Sequence, residues 1–175
     1  MIFYKTKIKD VYIIEPEFHR DERGYFGRIF CQDELSKVGI DFIVRQASQG
    51  LSLKKGMIHG IHFQREPAAE KKIVQCIRGA IYDVVVDLRK DSETYGQWIA
   101  EELSEENKKK IYIPEGCAHG FQTLVDNSER LYLMSEFYSS KHCDGLRWDD
   151  PSLKITWPIQ DSVVISEKDR QWPLL

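Results

Sequence analysis

Ile73-Val74-Gln75-Cys76-Ile77-Arg78-Gly79-Ala80-Ile81-Tyr82-Asp83-Val84-Val85-Val86-Asp87-Leu88 reads as two strands separated by a turn. Branched and aromatic side chains dominate both runs, and their stiff χ1 angles suit a pleated surface better than a helix. Arg78-Gly79 supplies the punctuation between them. Working outward, Val11–Ile14, Lys110–Ile113 and Arg130–Met134 have the same character, with turn formers at Glu115-Gly116 and Asp126-Asn127. One helix is expected over Gln32–Val38, stopped by Gly39, and Ser104–Asn107 reads as a turn. Many short strands and few helices predict an all-β jelly-roll barrel or sandwich, whose mouth can hold one ligand.

Composition sets the outer bounds. A chain of 175 residues fits one domain, and no linker, repeat or low-complexity segment divides it. The hydrophobic share of 42%, the charged share of 30% and a net charge of −3 are ordinary for a globular protein. That charge gives no field to recruit nucleic acid, and no apolar run approaches a membrane span. The N-terminal residues lack a signal-peptide core, so a cytoplasmic setting is expected. Cys31, Cys76, Cys117 and Cys143 have no paired metal spacing and read as reduced thiols.

The chemistry concentrates in Gly56-Met57-Ile58-His59-Gly60-Ile61-His62-Phe63-Gln64, in Lys72, and in Pro114-Glu115-Gly116-Cys117-Ala118-His119-Gly120-Phe121. Histidine moves protons near neutrality, and a lysine can hold a developing oxyanion. On a regular strand, residues two apart share a face, so His62 and His59 are expected to diverge. The Gly-x5-His62 spacing resembles the metal motif of cupins, yet the next ligand position is Gln64 rather than histidine. No third ligand beside His62 and His119 is evident, and no metal is expected.

In order and spacing these pieces form one pattern. Asp21-Glu22-Arg23-Gly24-Tyr25-Phe26, the Gly56–Gln64 segment, Lys72, Asp83–Arg89, Tyr95-Gly96 and the box ending at Phe121 begin it. Tyr132, Tyr138, Gly145–Pro151, Trp157-Pro158 and Ser166–Asp169 complete it. From about Val11 to the C-terminus the chain resembles the dTDP-4-dehydrorhamnose 3,5-epimerase family, nucleotide-sugar epimerases of cupin fold. The resemblance implies a nucleoside-diphosphate-linked 4-keto-6-deoxyhexose as substrate, with no cofactor, in deoxysugar synthesis.

By that resemblance His62 is the base, Asp169 the carboxylate that orients it, Tyr132 the acid on the opposite face, and Lys72 the support for the enolate oxygen. Arg23 and Phe26 match residues around the nucleotide diphosphate and sugar, often reaching across a dimer. Gln46 and Tyr138 match positions at the nucleobase, Lys168 matches another contact of the nucleotide sugar, and His119 faces the substrate. Each has a plainer competitor. Lys71-Lys72 suggests a solvated surface, Tyr132 could fill the core, Glu167–Arg170 alone suggests a wet tail, and His119 could cap a turn.

Several positions depart from the family's pattern. Arg28 stands where it usually has a glutamate, His59 where it has an arginine, and Gln46-Ala47-Ser48 where it has Gln-Asp-Asn. The spacing onward to Gly56 is one residue longer, and Cys143 replaces a glutamate. Recognition residues change while the proton-transfer set stays, so altered nucleotide or sugar specificity is an expectation. A single-centre epimerase of a CDP- or GDP-sugar, a metal-dependent cupin enzyme and a non-catalytic binding module remain alternatives. A homodimer with exchanged N-terminal strands is also implied by the resemblance.

Overall fold

The computed structural model describes residues 1–161 and 163–175. One sheet runs in the order β1 (Ile2–Lys5), β2 (Tyr12–Glu15), β10 (Lys110–Ile113), β7 (Lys72–Arg78), β12 (Ser128–Met134), β5 (Gln46–Ser52). The facing sheet runs β13 (Cys143–Gly145), β6 (Met57–Gln64), β11 (Cys117–Thr123), β8 (Ala80–Asp87), β9 (Trp98–Ser104). The short β14 (Val164–Ile165) joins β6 in parallel. A separate hairpin, β3 (Phe18–Asp21) with β4 (Gly24–Gly27), stands outside both sheets. The helices are α1 (Gln32–Lys37) and α2 (Glu167–Arg170). This is the all-β jelly roll expected from the strand pattern.

The two strands that decide the fold do not pair with each other. β7 lies between β10 and β12, whereas β8 lies between β11 and β9. Gly79 is therefore a corner between sheets. Its φ is +72°, and a Cβ there would come within 2.8 Å of Ser128 Oγ, so the corner has room for glycine only.

Alternation then sorts the side chains. Ile13, Val74, Cys76, Ile111 and Ile113 of the first sheet meet Ile81, Val85, Leu103, Cys117 and Phe121 of the second, forming the barrel core. The outer face of the second sheet is covered by the C-terminal segment through Leu146, Leu153, Trp157 and Ile165. On the first sheet, Leu35 of α1 with Ile40 and Phe42 covers Tyr12, Ile14, Ile73 and Tyr112. That cover stops short of β5, whose outward Ala47, Gln49 and Leu51 are exposed. The four cysteines are free thiols.

Lys110–Ile113 forms the strand expected of it, while α1 ends one residue early, with Val38 as its C-cap and Gly39 beyond at φ +82°. Polar β5 carries little strand propensity and draws its place from pairing with β12 along its whole length. Among the described residues, no helix is long and apolar enough to cross a membrane.

Candidate active site

The expectation that His59 and His62 diverge fails, because β6 is not regular. His119 of β11 pairs with His62 and Phe121 with His59, so Gly60 and Ile61 together oppose Gly120 alone. One extra residue in the strand is a β-bulge, and it resets the alternation. Ile58 and Ile61 both go to the outer core, while His59 packs inward on Phe121, with ring centroids 4.8 Å apart and nearly parallel. Glycine makes this possible. Gly60 has φ +103°, and its Cβ would sit 2.7 Å from Gly120 Cα.

His62 Nε2 is 2.6 Å from Asp169 Oδ1, and the imidazole stays about one-third exposed while the carboxylate is buried. Ser166 Oγ caps α2 by accepting from the Asp169 backbone N–H at 3.1 Å, which fixes the carboxylate's position. Trp172 Nε1 and the Gly60 N–H also donate to Asp169, at 3.2 and 3.4 Å. Burial alone would raise this carboxyl. The His62 hydrogen bond and charge, helped by those donors, bring it down to about 2 instead. With Nε2 committed to Asp169, Nδ1 is the nitrogen left to take a proton. The wet-tail reading of Glu167–Arg170 fails for Asp169, which is only 4% exposed.

That depression has a consequence for acid stability. A folded-state pKa below the unfolded one adds stability above the unfolded value, lost as pH falls through the folded value. Asp169→Asn should therefore lose about 2 kcal/mol near neutrality and flatten the acid limb between roughly pH 4 and 2. Urea midpoints across that range check this. Parallel wild-type and variant acid limbs would rule it out.

Beside this pair lies a second one. His119 Nε2 is 2.7 Å from Asp83 Oδ2, both buried, and His119 sits within a fully buried strand rather than a turn. Complete burial pushes the Asp83 carboxyl up, with His119 opposing, and its other oxygen has no hydrogen-bond partner among the described residues. The Tyr132 ring meets His119 edge to face at 6.3 Å. Tyr132 belongs to the facing sheet, directly opposite Ser48 of β5. Lys72 opens β7 in register with the inward Val74, and its Nζ pairs with the largely buried Glu70 at 2.8 Å. Lys72 is not a solvated surface lysine.

The remaining expected ligand residues fall in three places. Gln46 accepts from the Tyr138 backbone N–H at 3.1 Å and approaches Ser48 Oγ at 3.4 Å, so these three cluster beside Tyr132. Lys168 lies over Trp172, 5.4 Å from the ring centroid, next to the His62–Asp169 pair. The hairpin residues stand apart. Arg23 pairs with Asp21, Phe26 is 80% exposed, and Arg28 pairs with Glu34 of α1. Gln64, at the position of a cupin metal ligand, instead ties down Ala68, Phe137 and Ser139. No cluster of three or more His, Cys, Asp or Glu arranged for a metal occurs among the described residues.

Sequence reasoning overlooked Asp83, Glu70, Ser52, Arg130 and Trp172. Asp83 was detectable, since a carboxylate inside a valine run needs a buried partner. Arg130 shares the inward face with Tyr132 by simple alternation. Glu70 and Trp172 lie in irregular segments with no periodic signal.

A family model described as dTDP-4-dehydrorhamnose 3,5-epimerase matches residues 5–175. A dTDP-4-dehydrorhamnose 3,5-epimerase of Methanothermobacter thermautotrophicus is 44% identical over 97% of this chain and 92% of its own. The crystal structure of one from Bacillus anthracis, with TDP and PPi bound, is 40% identical with a TM-score of 0.96 over 99% of both chains. A dTDP-6-deoxy-D-glucose-3,5-epimerase from Legionella pneumophila, in complex with dTDP-4-keto-L-rhamnose, is 34% identical with a TM-score of 0.93, covering 99% and 92%.

Proposed function

The chain belongs to the dTDP-4-dehydrorhamnose 3,5-epimerase family, and from that premise we propose that it inverts C3 and C5 of a dTDP-linked 4-keto-6-deoxyhexose. Inverting a carbon by proton transfer needs a base on one face of the sugar and an acid on the other. The observation that carries the reading is the opposition of His62 and Tyr132, which rise from facing sheets into one interior beside His119.

In this mechanism the substrate's C4 carbonyl acidifies the neighbouring C–H bonds. His62 removes the proton through Nδ1, and Asp169 holds the ring in place. Lys72 meets the negative charge as it gathers on the carbonyl oxygen. Tyr132 then delivers a proton to the opposite face. His119, held by Asp83, packs beside Tyr132 in the same wall. Gln46, Ser48 and Tyr138 would receive the nucleobase, and Lys168 the nucleotide sugar. Competition among dTDP, CDP and GDP tests the nucleotide: dTDP is expected to bind best, and preference for either rival would refute that assignment.

Residues 1–175 act as one domain in this reading, and the working unit is a homodimer. Supporting the dimer, the β3–β4 hairpin presents Phe26 and Tyr25 to solvent, a marginal arrangement for an isolated hairpin. Leu51, Leu53, Ile43 and Ile29 are also exposed on or near the uncovered end of the first sheet. Arg23 and Phe26 would then serve the partner's site through strand exchange. Sedimentation equilibrium should give twice the chain mass, and Phe26→Asp should weaken association. A monomer at micromolar concentration with full activity would overturn this.

A further inference from the structure

Arg130 is 4% exposed in the barrel interior, and among the described residues no carboxylate pairs with it. Its guanidinium donates to neutral oxygens: Nη1 to Ser52 Oγ at 2.8 Å and Ser128 O at 3.0 Å, and Nε to the Tyr132 hydroxyl at 3.3 Å. It also lies 4.3 Å from the centroid of Phe121, the ring against which His59 stacks. A buried cation without a counter-ion is costly, so a chain that keeps one invites a functional reason.

Space and charge around it are consistent with a built position. A Cβ at Gly50, directly across on β5, would come within 2.9 Å of Arg130 Nη2. His59 shares Ser52 with Arg130, at 2.9 Å, yet burial and then the arginine's charge hold its imidazole down at about 4. His59 is thus neutral at pH 7, and Arg130 is the cation of this corner.

We propose that Arg130 is a positioning residue for Tyr132, filling the acceptor side of the phenolic oxygen, leaving its O–H free to point toward the interior shared with His62, and stabilising the tyrosinate left after proton transfer. The inference rests on Tyr132 being the acid of the reaction. As Tyr132 delivers its proton, its O–H bond breaks, the pair stays on oxygen, and a C–H bond forms on the enolate carbon. His62 meanwhile holds the proton removed from the other face, and solvent exchange returns both groups to their starting states. Burial pushes the Tyr132 hydroxyl up, and Arg130 is the main influence opposing it. Nearby Asp83 and Cys76 favour the neutral form, while His119 meets the ring edge to face. Among the described residues, only the arginine bonds to the oxygen that must become an anion.

The test separates two fates of one enolate. In deuterated water, return of a proton from the His62 face gives labelled substrate of unchanged configuration, whereas delivery by Tyr132 gives inverted product. Arg130→Met should lower the ratio of inversion to same-face exchange by roughly 10- to 100-fold, the range of a hydrogen bond to a charged group. Arg130→Lys should recover part of it. Gly50→Ala, which crowds the guanidinium without removing its charge, should move the ratio in the same direction. Gly50→Ala and Arg130→Lys carry the test if Arg130→Met does not fold. An unchanged ratio in the Arg130 variants beside a lowered ratio in Tyr132→Phe overturns the proposal and leaves the acid assignment standing. Weaker dTDP binding at an unchanged ratio overturns it too, making Arg130 a ligand contact. An unchanged ratio in Tyr132→Phe refutes the acid assignment itself, and the proposal with it.

Discussion

His62→Ala should eliminate deuterium uptake at C3 and C5 together with product formation, by about a thousandfold or more, within the reach of general-base catalysis. The reason is positional. His62 is the imidazole that combines partial exposure with a buried carboxylate at 2.6 Å, so it can reach a substrate and hold the proton it takes. His119 cannot replace it, because it is enclosed in β11 against Asp83. His59 cannot either, since burial and Arg130 disfavour its protonated form, making it a weak base, and its Nε2 is engaged with Ser52. The alanine variant should keep its fold and bind dTDP, because Asp169 retains donors from Trp172 and Gly60. Exchange surviving at wild-type rate in His62→Ala would remove the base from the mechanism.

Lys72→Met should cost about 10²- to 10³-fold in turnover, the usual loss when one oxyanion donor is removed. The variant has a second effect. Glu70 is left buried without its partner, so stability should fall by about 1–3 kcal/mol. The double variant with Glu70→Gln separates these contributions. It should regain stability without regaining rate, because glutamine relieves the stranded charge and supplies no cation. Recovery of rate along with stability would mean that Lys72 only neutralises Glu70.

Much of the architecture was legible in the sequence because branched runs and glycine corners are local signals. Val84-Val85-Val86 and Ile111-Tyr112-Ile113 could be little other than strands, and Gly79, Gly116 and Asn127 all adopt the positive φ that their turns require. Sheet membership was not legible, since β7 and β8 part at Gly79 through packing between distant segments. The bulge at Gly60-Ile61 was invisible for a related reason. It exists in the pairing of β6 with β11, so period-two reasoning placed His59 and His62 on opposite faces. Resemblance supplied what periodicity could not, namely that Asp169, in an ordinary charge run, returns to His62 across 107 residues of chain. It was silent on Arg130, whose meaning appears only once Ser52, Tyr132 and Phe121 surround it.

Opposed proton transfer across the barrel is tested most directly by incubating the wild-type protein in deuterated water with dTDP-4-keto-6-deoxyglucose and reading each carbon by NMR. The expected result is deuterium at C3 and C5 accompanied by inversion at both. Deuterium uptake with configuration retained at both carbons, or no uptake at either, would contradict it.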